Sequence, residues 1–228
     1  MKKIGDDLKS KRVLVTQSND FMGPALCQAF ESYGATVIAS EIPLLTNTTV
    51  TNLEKEIGSV DIVVANLMSP NFGQCVFSTD DVEWHNHFRY MVNPLPWLAK
   101  TFMPSMIEKG NGKFIVMSSV TAQRYVPDTV GAAYAAARGA QISWAQAVGV
   151  EMAQRNIMVN AIAQGFVDNP TFYPADVKDN EDIKNHLNLI PAKRLGKSEE
   201  CTSLAIYLAS DDSNFLIGQC LSVSGGWA

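Results

Sequence analysis

The stretch VTQSNDFMGPAL, Val15 to Leu26, decides the fold class of this chain. It continues an apolar run and leads into helix-like sequence, the strand–loop–helix order that opens a nucleotide-binding α/β unit. Glycines in such a loop let the backbone turn tightly and approach a pyrophosphate closely. Only Gly23 is glycine here, and Gln17 and Phe21 stand where the other two are expected. The stretch therefore predicts a nucleotide-binding type of α/β fold in which the first loop is poorly suited to bind phosphate.

The rest of the chain alternates short apolar runs with amphipathic stretches. We predict strands over 13–16, 35–39, 60–65, 113–117, 157–162 and 220–223, and helices over 23–33, 84–109 (interrupted by prolines), 132–155 and 201–209. This alternation predicts one Rossmann-like domain over 1–228, a doubly wound parallel sheet with helices on both faces. The segment 164–194 contains three prolines and no long regular period, which indicates a binding loop or lid.

Composition excludes several classes of partner. The 228 residues are 46% apolar with a formal net charge of -5, which argues against nucleic acid and anionic membranes. No run of 18 apolar residues predicts a membrane span, and the first residues lack the apolar core of a secretory signal. The cysteines and histidines form no metal-ligand pattern, and the scattered cysteines indicate free thiols in a reducing compartment. We expect a cytoplasmic protein without a metal site.

The candidate catalytic residues are several hydroxyl side chains and one positively charged side chain. The predicted strand 113–117 runs into Ser118 and Ser119, and Tyr134 and Arg138 follow in a predicted helix. Residues four apart lie on the same helix face, one turn apart, and a serine at the end of the preceding strand can face both. We interpret Ser118 as a residue that only bonds the strand end, and Ser119 as the catalytic serine.

This arrangement resembles the short-chain dehydrogenase/reductase superfamily, which carries a serine and a Tyr-x-x-x-Lys motif at these places. The resemblance covers nearly the whole chain. Arg138 departs from the superfamily lysine, and the first loop departs from its glycines. Both departures are similar to those of one branch, the halohydrin dehalogenases, which use no nicotinamide. Their Thr-x4-Phe/Tyr-x-Gly signature matches Thr16, Phe21 and Gly23, and Tyr134 and Arg138 match the end of Ser-x12-Tyr-x3-Arg.

One spacing departs from that branch. Ser119 precedes Tyr134 by 15 positions, where the family has 13, and Thr121 lies 13 positions before Tyr134. Either the loop 123–133 carries two extra residues and Ser119 is catalytic, or Thr121 takes the role. Loops absorb insertions at low cost, and the superfamily serine lies at the strand end, so we favour Ser119.

The resemblance implies a cofactor-free conversion of vicinal haloalcohols to epoxides, and the reverse opening of epoxides by small anions such as halide, cyanide or azide. Ser119 and Tyr134 would hold the substrate oxygen, Arg138 would favour tyrosinate, and Tyr134 would act as the base. Phe21 would fill the nicotinamide volume. Residues of the loop after the fifth strand would complete a halide pocket: Gln164, Gly165, Phe166, Val167 and Tyr173. The family often has Pro-Asn where this chain has Gln164-Gly165. A homotetramer is also implied.

Two other functions remain open. In a divergent NAD(P)-dependent reductase, Arg138 would replace the lysine, but the loop lacks the glycines that let helix-terminal amides approach a phosphate. Glu41 follows the second predicted strand, where NAD-binding proteins place a ribose-binding acid; without a phosphate loop we interpret it as a surface carboxylate. The third function is a non-catalytic binding or scaffold protein.

Overall fold

The computed structural model describes residues 4–71, 73–125, 130–174 and 181–228. The strands are β1 Arg12–Thr16, β2 Thr36–Ser40, β3 Ile62–Asn66, β4 Gly112–Ser119, β5 Ile157–Gln164 and β6 Cys220–Val223. The α-helices are α1 Gly23–Ser32, α2 Asn47–Ile57, α3 Asp81–Met91, α4 Pro94–Lys109, α5 Gly131–Met152, α6 Glu181–Leu189 and α7 Ser198–Ala209.

The strands form one parallel sheet in the order β2-β1-β3-β4-β5-β6. One apolar layer packs α2, α4 and α5 on one face, and a second packs α1 and α7 on the other. The central strands β3, β4 and β5 are buried throughout, as expected for parallel strands covered on both faces. The predicted Rossmann-like fold is confirmed, and a ligand is expected at the carboxyl ends of its strands, where the order reverses between β1 and β3.

Two strands extend further than the apolar runs predict. β4 continues through Ser119 and β5 through Gln164, and these two residues are partners in the ladder. Their side chains are polar but buried, so hydrophobicity alone does not mark them as strand. This extension brings Ser119 and Gln164 side by side at the sheet edge.

The predicted set of helices needs three corrections. The predicted helix 84–109 is two helices, because Pro94 cannot continue the hydrogen bonding of α3 and instead begins α4. The helix α2 was not predicted; it is polar and Thr-rich but begins at a Thr46 cap that accepts the Thr49 N–H. The helix α6 was not predicted either, and it lies inside the segment 164–194 interpreted as irregular. Among the described residues, no helix is long and apolar enough to cross a bilayer.

Candidate active site

A pocket of about 80 Å³ opens at the carboxyl ends of β4 and β5. Its walls combine hydroxyl, amide and aromatic groups from five parts of the chain: Phe21, Ser119, Val120, Thr121, Val130, Tyr134, Gln164, Gly165, Phe166, Val167, Asn169, Phe172, Tyr173 and Trp227. Every predicted substrate-contacting or pocket residue is among them. Arg138 lies behind the wall.

Ser119, Thr121 and Tyr134 share this pocket. Ser119 ends β4 and its hydroxyl accepts the Thr121 N–H at 3.2 Å, which starts a short 3-10 turn. The Thr121 hydroxyl also donates to Ser119 Oγ, at 3.0 Å. Tyr134 reaches the pocket from the first turns of α5 and is 2% exposed. Both alternative hydroxyls therefore reach the pocket, and they are bonded to each other with Ser119 as the acceptor. Within the loop 123–133, which would carry the two-residue insertion, residues 126–129 lie outside the described residues.

Arg138 is fully buried behind Tyr134. Its guanidinium carbon lies 4.9 Å from the centre of the Tyr134 ring and 4.8 Å from that of Phe21. Its Nη1 donates to the carbonyl oxygens of Leu67 and Met117, at 3.1 and 2.9 Å. A guanidinium has five donors in a rigid fork, which suits it to bond several strand ends at once. Arg138 thus fixes the ends of β3 and β4 while it holds a positive charge over the tyrosine ring.

Phe21 has a left-handed backbone, with φ of 52°, at a position where glycine is expected. Its side chain is 2% exposed and meets the Phe172 ring edge to face at 5.9 Å. Its N–H donates to Thr171 Oγ1 at 2.6 Å. The loop after β5 therefore covers the loop after β1 and accepts a hydrogen bond from one of its backbone amides.

Gln17 has the same left-handed conformation, with φ of 45°, at the other missing glycine. Its side-chain amide pairs with the backbone of Met68, donating to the carbonyl and accepting from the N–H. Asn66 at the end of β3 donates to the carbonyls of Gln17 and Asp20, at 3.0 and 2.9 Å. The loop thus retains the backbone shape of a glycine-rich phosphate loop although side chains occupy it.

Thr16 and Gly23 hold the two ends of this loop. The Thr16 hydroxyl donates to the Asn66 carbonyl at 3.2 Å. A Cβ on Gly23 would lie 2.4 Å from the Ser18 carbonyl oxygen, so the loop packs against α1 only because that residue is glycine. Both residues therefore shape the loop from outside the pocket lining.

The residues predicted to form a halide pocket lie in the loop that begins at the end of β5. Gln164 Oε1 faces the Cys201 thiol at 3.4 Å, which leaves the amide N–H as the group available to a pocket anion. Gly165 lines the pocket, but its N–H donates to Val223. Phe166 has a strained φ of 55° and, with the buried Val167, adds apolar wall. Burial raises the pKa of Tyr173 far above its ordinary value, and a negative charge on Tyr134 would raise it further, so Tyr173 stays a neutral hydroxyl.

Trp227 and Asn169 contribute to the site although neither is among the predicted site residues. Trp227 lines the pocket, meets Phe166 edge to face at 5.9 Å, and has the Arg124 guanidinium 4.1 Å from its ring centre. Asn169 accepts the N–H groups of Thr171 and Phe172, which shapes the covering loop. Nothing local in the sequence shows that the end of the chain returns to the pocket.

The first loop does not fit the pyrophosphate of a nicotinamide cofactor. A pyrophosphate binds to free backbone amides at the start of the first helix. Here the amides of Ser18, Asp20, Phe21, Met22 and Gly23 all donate to protein acceptors. The Gln17–Met68 pair also joins the loops after β1 and β3, between which a dinucleotide would lie. Beyond that pair, a separate cavity of about 500 Å³ lined by Asp20, Glu41 and Tyr90 remains open.

Metal and thiol chemistry have no visible support in the described part of the chain. It contains no group of His, Cys, Asp and Glu that could hold a metal ion. All four cysteines are free, and burial raises the pKa of the Cys201 thiol to about 12.

Comparisons with known proteins point to one superfamily. The family model described as enoyl-(acyl carrier protein) reductase matches residues 13–228. The chain is 28% identical to the 3-oxoacyl-(acyl-carrier-protein) reductase FabG of Thermotoga maritima, over 96% of this chain and 98% of the relative. It is 26% identical to dehydrogenase/reductase SDR family member 4 of Homo sapiens, over 97% and 88%. A solved structure described as a dehalogenation enzyme is 25% identical with a TM-score of 0.81, over 97% of this chain and 99% of that one.

Proposed function

The chain belongs to the short-chain dehydrogenase/reductase superfamily, and from that premise we propose that it is a halohydrin dehalogenase, a cofactor-independent carbon–halide lyase. Its substrates would be vicinal haloalcohols, which it converts to epoxides, and in reverse epoxides opened by halide, cyanide or azide. The retained Ser119, Tyr134 and Arg138 support catalysis over a scaffold role. The similarity to a dehalogenation enzyme along nearly the whole chain supports this branch.

One observation carries the proposal: the loop that would bind a dinucleotide is closed by its own contacts. The Phe21 ring lies under Arg138 and against Phe172, and the Phe21 N–H is bonded to Thr171. A reductase needs that amide and that volume for its cofactor, whereas a dehalogenase needs neither. The pocket that remains is small and opens beside Tyr134.

The reaction follows from the groups around the pocket. The substrate hydroxyl binds between Ser119 and Tyr134, and Tyr134 as phenolate removes its proton. The alkoxide oxygen then attacks the neighbouring carbon and displaces halide, so one C–O bond forms as one C–halogen bond breaks. The products are an epoxide, a halide ion and a proton on Tyr134, and no electron is transferred. Arg138, 4.9 Å from the ring centre, stabilises the phenolate.

The leaving halide would enter the space between Gln164, Phe166, Val167 and Tyr173. Weak neutral donors in an apolar wall suit a large, weakly hydrated anion, and the Tyr173 hydroxyl and Gln164 amide are such donors. The positive charge of Arg138 lies behind Tyr134 and Phe21. Thr121 donates to Ser119, which leaves the Ser119 hydrogen free for the substrate oxygen.

The test is halide release from 1,3-dichloro-2-propanol without nucleotide. We expect steady release by the native chain and a loss of about a hundredfold or more in Tyr134→Phe, since a positioned general base contributes about 10²–10⁴ in rate. The exposed Tyr125→Phe serves as the matched control. A folded native protein that releases no halide from this or other small haloalcohols contradicts the proposal.

A second candidate is an NAD(P)-dependent reductase. It is favoured by the curated relatives, which are reductases, and by the open cavity beside Glu41, where the adenosine half of a dinucleotide would lie. Calorimetric titration with NADH and NADPH distinguishes the two functions. Binding tighter than about 100 μM, with no halide release, would support the reductase. A protein with neither property would support a non-catalytic role.

Oligomeric state and location complete the proposal. On α5, Ser143, Ala147 and Val150 are exposed together, and Val150 is 73% exposed, which suits a helix that packs between subunits in a homotetramer. Sedimentation analysis tests this. Four free thiols suit the reducing cytoplasm.

A further inference from the structure

A group of buried polar atoms without hydrogen-bond partners lies next to the proposed base. They are the Nε of Arg138, both ring nitrogens of His87 and Oε2 of Glu83. His87 and Arg138 are fully buried, and Glu83 is 7% exposed. Burying such groups costs free energy unless water or a ligand completes their bonding. Donors and acceptors of this kind, close together, are what an internal water needs for its two to four hydrogen bonds.

These side chains form a path that begins at Tyr134. The His87 ring meets the Tyr134 ring edge to face, with 6.0 Å between centres and an angle of 80°. His87 Nε2 lies 3.9 Å from Glu83 Oε1, one turn earlier on α3. Glu83 is in the first turn of that helix, where Oε1 accepts the N–H of the exposed Gln74 at 2.8 Å. The path therefore leads from the catalytic tyrosine to the protein surface at Gln74.

Burial keeps the imidazole of His87 neutral. Burial lowers the pKa of His87, Glu83 acts in the opposite direction, and Arg138 lowers it further. The charged or titratable groups that face His87 are Glu83 on its own helix and Tyr134 and Arg138 on α5. A neutral imidazole has one N–H donor and one free acceptor, so it can take a proton on one side and release one on the other.

The proposed reaction needs such a path. Each turnover leaves one proton on Tyr134, and that proton must leave before the next substrate binds. The pocket itself is walled by Phe21, Val130, Phe172 and Trp227, so bound substrate or epoxide separates the tyrosine from bulk water on that side. Arg138 is no acceptor, because a guanidinium is not deprotonated in proteins.

We infer that His87 and Glu83 form the proton exit of this site, which links Tyr134 to solvent through internal water. The Tyr134 proton passes to bridging water, the water gives a proton to the free imidazole nitrogen, the opposite nitrogen releases one toward Glu83, and Glu83 passes it to solvent. After this proton transfer His87 is neutral and Tyr134 is anionic, as both were before the reaction. No other reactant is needed. His87 is thus a positioning residue that acts through Tyr134, and this role rests on the proposed function.

The first experiment compares His87→Gln with His85→Gln. Glutamine keeps a donor and an acceptor for bridging water but does not titrate, and His85 is an exposed histidine on the same helix. In weak buffer we expect kcat for halide release to fall about tenfold in His87→Gln and to stay unchanged in His85→Gln, since proton transfer would become limiting. Added imidazole should restore kcat in His87→Gln, because a small diffusing base replaces the missing carrier.

A packing role gives a different result. If kcat falls but imidazole does not restore it, or if kcat is unchanged in weak buffer, the proton exit is wrong. Glu83→Gln should show the same rescue as His87→Gln. Thermal unfolding of each variant separates loss of fold from loss of proton transfer.

A second measurement does not depend on dehalogenation. In protein labelled with ¹⁵N-histidine, the His87 ring N–H should exchange with water rapidly although the side chain is fully buried, and Glu83→Gln should slow that exchange. A sharp, exchange-protected His87 N–H would overturn the inference. Rapid exchange in a chain that releases no halide would leave the water path standing and contradict only the proposed reaction.

Discussion

The loop after β1 and the end of β4 lie at the same edge of the sheet but differ in what they retain from the superfamily. At Gln17 and Phe21 the loop keeps the left-handed backbone of a glycine-rich loop, with φ of 45° and 52°, while its amides are bonded within the protein. At Ser119 and Tyr134 the side chains are retained and line the pocket. The shape of a cofactor site and its ability to bind the cofactor are therefore separate properties.

In the loop after β1, replacing Phe21 should have the largest effect on stability. Phe21→Ala removes a buried ring that contacts Phe172 and Arg138, and we expect the free energy of unfolding to fall by about 3–5 kcal/mol. Urea unfolding measures this. Phe30→Ala is the matched control, because Phe30 is fully buried in the same apolar layer but away from the pocket. Both variants should lose stability, and only Phe21→Ala should change the inhibition of dehalogenation by added bromide. Equal effects on inhibition would make Phe21 an ordinary core residue.

Exchanging Arg138 for the superfamily lysine tests the second region. Arg138→Lys keeps the charge but cannot reach the carbonyls of Leu67 and Met117 together, so we expect a stability loss of about 1–3 kcal/mol for the unpaired acceptors. Halide release should fall about a hundredfold, since the tyrosinate loses a fixed neighbour. Arg89→Lys, at an exposed position, is the control for both assays. Full activity in Arg138→Lys would show that charge alone is sufficient there.

The two candidate hydroxyls are separated by paired variants. Ser119→Ala should lower kcat for halide release by about a hundredfold, as expected when one donor to a reacting oxygen is lost. Thr121→Val should lower it by less than about tenfold, because Thr121 only donates to Ser119 Oγ. Steady-state kinetics on each variant measures the difference. A larger loss in Thr121→Val would transfer the catalytic role to Thr121.

Sequence predicted the parts of this site that depend on spacing. The order of strands and helices placed Ser119, Tyr134 and Gln164 at one edge, because parallel strands end together. It could not predict that Gln17 bonds Met68 or that Trp227 returns to the pocket, because these contacts join residues 50 or more positions apart. Nor could it predict that His87 lies against Tyr134, because that contact depends on how α3 is rotated against α5. The helix α2 was missed because its sequence is mostly polar and its apolar face is only Val50, Leu53 and Ile57.

The smallest effect is expected at Gln17, where backbone strain and the hydrogen bonds to Met68 affect stability in opposite directions. Gln17→Gly relieves a left-handed residue, a gain of about 1–2 kcal/mol, but removes two hydrogen bonds to Met68, a loss of about 0.5–1.5 kcal/mol each. The two terms largely cancel, so stability should change by no more than about 2 kcal/mol in urea unfolding. Calorimetry should still detect no NADH binding, because Asn66 and Thr171 hold the Met22 and Phe21 amides in the variant as well. NADH binding by Gln17→Gly would contradict this expectation. It would show that the Gln17 side chain blocks the nucleotide, and that the hydrogen-bonded amides of the loop do not.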